Sequence, residues 1–287
     1  MTGVTIAGLP VESASSAVGR LSMLLWGPSG AGKTTWACSA PGKKLIINFD
    51  PDGFKSVAYR DDVDVLDLSD KGHKILESFT KTPDDPLGLS KAIENYDTII
   101  LDSVTSLSQL ALERGVALSA TQSRGGTPAS IEFPGLQGYG ARTTVSVLAL
   151  KSLLRVTGRY DKHFIAITHE DEPTTDDKGQ TLYISMMLGG KIKNNVALQI
   201  SEIWFLQDTE KSRRVMVRPA RGRQPMKSRM WQGSGAPEFV LEYNADLPDE
   251  GQAMSLDSMW KLWNDSGKKK LPMPGSPEFA KLIKATS

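Results

Sequence analysis

The sequence predicts an α/β fold, a mostly parallel sheet flanked by helices, on three observations. Apolar runs of strand length alternate with helix-patterned segments along most of the 287 residues. The runs are near-continuous rather than alternating, as in parallel strands buried on both faces. The first run leads directly into a glycine-rich phosphate loop and then a helix, the context in which that motif is specific.

Taken in order, the expected strands are "LSMLLW" (Leu21–Trp26), "KLIINF" (Lys44–Phe49), "TIILD" (Thr98–Asp102), "HFIAIT" (His163–Thr168) and "ISEIWFL" (Ile200–Leu206). Helices are expected over Lys33–Ala40, Leu87–Asn95, Ser103–Leu118 and Tyr139–Val156. Two long polar stretches, Ser119–Gly138 and Glu170–Gly190, read as functional or disordered loops. Residues 1–20 are expected as an N-terminal segment that could contact a neighbouring subunit, 21–232 as the α/β core, and 233–287 as an extension. The extension would end in a weakly ordered tail. Within it, "MWKLWNDSGK" spaces two Trp three apart, which places both on one helix face packed on the core.

Composition narrows the function. The chain is 39% apolar and 23% charged with a net charge of +1, so no global field selects a partner. A single Cys38 excludes an internal disulfide framework and a cysteine-rich zinc site. The longest apolar run falls short of the roughly 18 residues of a membrane span. The first twenty residues lack the pattern of a signal peptide, so a cytoplasmic location is expected.

"GPSGAGKT" matches the phosphate-loop pattern. Gly27, Pro28, Ser29, Gly30, Ala31 and Gly32 would turn successive backbone N–H groups toward phosphate oxygens, and Thr35 follows the motif. Lys33 would reach the β- and γ-phosphates and the Thr34 hydroxyl would ligate Mg²⁺. Asp102, at the end of an apolar strand, supplies the carboxylate that would hold the metal's water shell. Asp50 and Asp52 in "DPDGF" lie at a strand's carboxyl end, where open α/β sheets bind ligands, although Asp-Pro and Asp-Gly are turn formers in their own right.

With these residues in place the chain resembles the RecA/RadA recombinase core: "NFDPDG" is similar to its acidic Asp-x-Glu motif, "ILDSVTSL" to its Walker B strand, and "IAITHE" to its sensor strand. The resemblance implies ATP as substrate, Asp52 as the water-activating carboxylate, and His169 as the γ-phosphate sensor. It also implies Tyr59 as an aromatic stacking on adenine. The family usually carries Glu where Asp52 stands, which implies slower hydrolysis or a displaced water. The two long loops lie where the family places its DNA-binding loops, with Arg124, Lys178, Lys191 and Lys193 as contacts. Their few positive charges and isolated aromatics, with Asp171, Glu172, Asp176 and Asp177 alongside, make a weak nucleic-acid signature in themselves.

From Lys211 to Met230 there are eight Lys or Arg and no acid. That density suits a DNA backbone, a solvated edge strand, or contact in trans with a neighbouring subunit's nucleotide, for which Arg218, Arg221 and Arg223 stand out. "VTIAG" (Val4–Gly8) faintly resembles the family's Phe-x-x-Ala polymerisation motif, with Val in place of the aromatic anchor. The short flanks, "LQGYGARTTV" and "THEDE" resemble the phage Sak-type single-strand annealing ATPases. That likeness implies a bacterial host's cytoplasm, single-stranded DNA and a homo-oligomeric ring or filament, with a single-stranded-DNA-binding protein as a further partner. A nucleotide-gated interaction protein, such as a helicase loader or assembly switch, is the other reading of the same motifs.

Overall fold

The computed structural model describes residues 5–7, 9–11, 13, 19–122, 130–189, 191–209, 212–220, 222–232, 238–241 and 255–286. Arg124, Arg221 and both ends of "VTIAG" lie outside them.

Among the described residues, the central sheet has eight strands: β1 (Ser22–Gly27), β2 (Lys44–Asn48), β3 (Val63–Asp67), β4 (Thr98–Asp102), β5 (His163–His169), β6 (Glu202–Thr209), β7 (Ser212–Met216) and β8 (Glu238–Leu241). Their spatial order is β8-β7-β6-β1-β5-β4-β2-β3. The first six run parallel, and β7 and β8 add an antiparallel edge. Strand β5 inserts between β1 and β4. The phosphate loop after β1 and the carboxylate ending β4 therefore flank the end of β5.

The five expected strands are present within two or three residues at each end. Strand β3 was not expected. Its "VDVLD" sits at the sheet edge, half-exposed, and its acids engage Lys43, Tyr96 and Asn48 rather than alternating with a clear apolar face. The expected helix over Leu87–Asn95 is instead two short 3₁₀ turns, Pro86–Lys91 and Ile93–Asn95. Leu87 and Gly88 take positive φ of 60° and 64° there, which an α-helix does not admit.

The helices are α1 (Lys33–Ala37), α2 (Glu77–Lys81), α3 (Val104–Gln122), α4 (Gly135–Arg159), α5 (Ile192–Gln199), α6 (Leu256–Asp265) and α7 (Pro277–Thr286). One sheet face is mainly aliphatic: Leu24, Ile47 and Leu101, with Phe205, bury against Leu107 and Ala111 of α3, Leu150 and Leu153 of α4, and Val196 of α5. The other face carries Trp36 of α1 together with Trp204, Trp231, Phe239, Trp260, Trp263 and Phe279. Trp260 and Trp263 face the core, as their spacing predicts, and Ser255 caps α6 by accepting from the Ser258 N–H.

The terminal stretch departs from the weakly ordered tail expected of it. Leu271 forms a bridge with Trp231, and α7 buries Phe279 against the Trp231 ring at 6.1 Å. Ser276 accepts from the Phe279 N–H, and Pro277 opens the helix, a start signal masked by the surrounding lysines. The first long polar stretch shortens because α3 runs to Gln122 and α4 starts at Gly135. The second folds into a β-hairpin, Thr174–Thr175 against Thr181–Tyr183. No described helix is long and apolar enough to cross a membrane.

Candidate nucleotide site

The carboxyl ends of β1, β2, β4 and β5 meet around a cavity of about 450 Å³, lined by the phosphate loop, Asp50, Asp102, His169 and Arg213. The loop's path depends on glycine. Gly27 has φ 152°, and a Cβ there would meet the Leu206 carbonyl oxygen at 2.0 Å. Gly32 takes φ 82° immediately before α1. Pro28, Ser29, Gly30 and Ala31 form the turn between them, with Ala31 buried beneath it, and Thr35 lines the cavity beyond.

Lys33 lies folded under this loop. Its Nζ donates to the carbonyls of Gly27 at 3.0 Å and Pro28 at 2.7 Å. Burial lowers its pKa to about 8, while Asp102, Asp50 and Glu170 pull it back up. The ammonium therefore remains charged at neutral pH and has an incomplete set of partners for a phosphate to complete.

Thr34 Oγ1 donates to Asp102 Oδ2 at 2.6 Å. Asp102 is buried, and burial pushes its carboxyl up to about 6; the Thr34 hydrogen bond opposes the shift, Asp50 adds to it, and Lys33 also opposes it. A hydroxyl beside a desolvated carboxylate, with a second carboxylate close by, is a hard-oxygen donor set short of positive charge. That chemistry fits Mg²⁺, which takes one or two protein oxygens and fills the rest of its octahedron with water and phosphate. No group of three His, Cys, Asp or Glu poised for a metal occurs among the described residues.

The carboxylate inside the cavity is Asp50 rather than Asp52. Asp52 starts the turn over Gly53–Val57 at φ 57°, and its side chain is 68% exposed in an ion pair with Lys55 at 2.8 Å. The turn after Pro51 swings it away from the cavity. Asp50 Oδ1 instead accepts from Ser103 Oγ at 2.9 Å, and Oδ2 lies 3.9 Å from His169 Nε2. Asp50 was one of two sequence candidates; Ser103, which fixes it, carried no separate signal beyond following Asp102.

His169 ends β5 with its backbone N–H donating to Thr105 Oγ1 at 3.0 Å, and Thr105 in turn bonds Thr168 at 2.8 Å. Burial lowers the His169 pKa, Lys33 adds to the shift, and Asp50 opposes it, so the ring is neutral at pH 7. Next in the chain, Glu170 is tied to the loop through its N–H to the Gly27 carbonyl at 3.0 Å. Burial raises its pKa, against Arg223 and Lys33.

The remaining expected residues lie elsewhere. Tyr59 is 58% exposed on a turn and is absent from the cavity wall. Lys178 sits on the turn of the second-loop hairpin, and Lys191 directly precedes α5; both are exposed. Lys193 donates to Ser185 at 2.6 Å and is 3.9 Å from Asp171. Arg218 follows β7, and Arg223 lies over the Phe205 ring at 4.8 Å within its own subunit.

A family model described as an AAA domain matches residues 20–230. The chain belongs to the AAA domain family. It is accordingly a nucleotide-binding protein of the P-loop ATPase type, with the phosphate loop on β1 and the second acidic position on β4. None of the curated proteins matches it. Among solved structures it is similar to that of the RadB recombinase, at 13% identity over 69% of this chain and 80% of the other, with a TM-score of 0.37.

Proposed function

We propose that the protein hydrolyses ATP with Mg²⁺ and couples the reaction to single-stranded DNA, as a recombination ATPase of the RecA-like, Sak-type annealing kind. The observation that carries the hydrolytic reading is the convergence of Lys33, Thr34, Asp102, Asp50 and His169 on one cavity.

In this reading Lys33 exchanges the Gly27 and Pro28 carbonyls for β- and γ-phosphate oxygens. Thr34 and Asp102 would hold Mg²⁺, which would supply charge neutralisation on the phosphates. Asp50, with one oxygen fixed by Ser103, orients a water and accepts its proton as the water oxygen attacks the γ-phosphorus. The bond to the β–γ bridging oxygen breaks, leaving ADP and phosphate. His169 senses the γ-phosphate from the end of β5, and the chain continues from it into the hairpin at 174–183.

DNA contact is assigned to that hairpin and its exit, chiefly Lys178 and Lys191, because Lys193 is already engaged with Ser185. Arg124 remains a further candidate. Arg218, Arg221 and Arg223 are the candidates to reach a neighbouring subunit's nucleotide, and Arg223 would have to leave the Phe205 ring to do so. Tyr59 would reach adenine only if its turn closes over the cavity.

The exposed Glu172 ahead of the hairpin and Asp177 within it favour a second reading, in which nucleotide gates assembly with a protein partner and DNA is incidental. ATP hydrolysis with and without single-stranded DNA, for wild type and Lys33→Ala, separates the two. Stimulation by DNA that vanishes in Lys33→Ala supports the first; hydrolysis indifferent to DNA supports the second. His169→Ala should abolish the stimulation while leaving basal turnover measurable, and unchanged stimulation would remove His169 from the coupling.

A further inference from the structure

The basic stretch after β6 contains two adjacent arginines that the fold sends in opposite directions. Strands β6 and β7 form an antiparallel hairpin in which Asp208 lies directly opposite Arg213. Successive strand residues face opposite sides of the sheet. Val215 and Val217 bury in the aromatic face, on the same side as α1, whereas Met216 buries in the aliphatic one. Arg213 shares the side of Val215, and Arg214 shares that of Met216.

Strand β6 runs parallel to β1, so its carboxyl end, with Asp208 opposite Arg213, lies at the same sheet edge as the phosphate loop. This brings Arg213 onto the cavity wall. Its Cζ and Nη1 lie 3.4 Å from where a Cβ on Gly32 would stand, so the guanidinium rests against the last turn of the loop before Lys33. Asp208 Oδ2 accepts from the Arg213 Nε–H at 3.3 Å. Arg214, on the other side, pairs with Glu238 of β8 at 2.9 Å.

We propose that Arg213 binds the phosphate chain of the nucleotide held by its own subunit, with Asp208 as its positioning residue. The proposal rests on the nucleotide-site reading above and adds to it a cation that the phosphate-loop pattern does not include. A planar guanidinium fork matches the geometry of phosphate oxygens, which a Lys ammonium does not. The contact is internal to the chain, in contrast to Arg218, Arg221 and Arg223, the candidates for a neighbour's nucleotide. The loop and Lys33 then hold the phosphates from one side and Arg213 from the other.

The test is equilibrium binding of fluorescent ATP and ADP analogues to the full chain, in wild type, Arg213→Ala, Arg213→Lys, Asp208→Asn and Arg214→Ala. Arg213→Ala should weaken both nucleotides by about 10-fold to 100-fold, the loss of charged hydrogen bonds to phosphate. Arg213→Lys should recover part of this, and Asp208→Asn should lose less than Arg213→Ala. Arg214→Ala should bind like wild type, although it removes an identical charge one residue away. The loss in Arg213→Ala should also be independent of protein concentration, as a contact within one subunit requires. Wild-type affinity in both Arg213 variants would overturn this proposal alone, and so would equal losses in Arg213→Ala and Arg214→Ala. Failure of the wild type to bind either nucleotide would overturn the nucleotide-site reading, and this proposal with it.

Discussion

The carboxyl edge of the sheet and its aromatic face are built on opposite principles. At the edge, Lys33 and Asp102 are buried with their pKa values drawn toward neutrality, and Lys33 hangs on two loop carbonyls. On the aromatic face, Trp204, Trp231, Phe239 and Phe279 contact one another at centroid distances between 5.5 and 6.4 Å. The first region holds charge at a cost to stability because a ligand is needed to balance it. The second spends large side chains on burial, so that short, irregular C-terminal pieces can cover a sheet face that the longer α3 and α4 cover on the other side. Stability and activity should therefore respond separately to substitutions in the two regions.

The largest effect expected is on the aromatic face. Trp231→Ala should destabilise the fold by about 3–5 kcal/mol in denaturant unfolding, while nucleotide affinity of the folded fraction stays near wild type. Lys33→Ala should do the reverse, lowering ATP turnover at least about 100-fold, as loss of a transition-state charge contact does, with little change in the unfolding midpoint. If both variants lost activity and stability together, the contrast between the regions would be wrong.

Asp102→Asn should change the two properties in opposite directions. The folded-state pKa of Asp102 is raised from 3.8 to about 6, so the folded form holds the proton more tightly than the unfolded form. Its favourable contribution is present below about pH 4 and is lost as pH rises through about 6. At pH 7 Asp102→Asn should therefore stabilise the metal-free protein by up to about 3 kcal/mol, while Mg²⁺-dependent turnover collapses. In the wild type, Mg²⁺-dependent nucleotide binding should weaken as pH falls below about 6, where the carboxyl becomes protonated. Thermal melts across pH 4–8 for both proteins check the sign.

The same contrast explains what the sequence made legible. Phosphate-loop glycines, Lys33, Thr34 and Asp102 are read directly because the chemistry fixes residue type and spacing together. The buried strands are read because their apolar runs are continuous. Strand β3 escaped notice because an edge strand can carry acids on both sides when Lys43, Tyr96 and Asn48 receive them. The order of the tail escaped because Leu271, Met273 and Phe279 are spread among lysines and prolines, and their burial depends on Trp231 forty residues earlier. The choice between Asp50 and Asp52 was decided by the direction of one turn, which a motif two residues wide does not encode. Arg213 was hidden in a basic run, and only the hairpin register separates it from Arg214.

Smallest of the expected effects, and most telling, is that of Asp52→Asn. The measurement that tests the site most directly is the rate of Mg²⁺-dependent ATP hydrolysis in Asp50→Asn and Asp52→Asn under saturating nucleotide. The geometry predicts a loss of about 100-fold or more in Asp50→Asn, the scale of a general base, with nucleotide still bound, and a change below about twofold in Asp52→Asn, a surface substitution. Near-wild-type hydrolysis by Asp50→Asn, with the loss falling on Asp52→Asn, would contradict it.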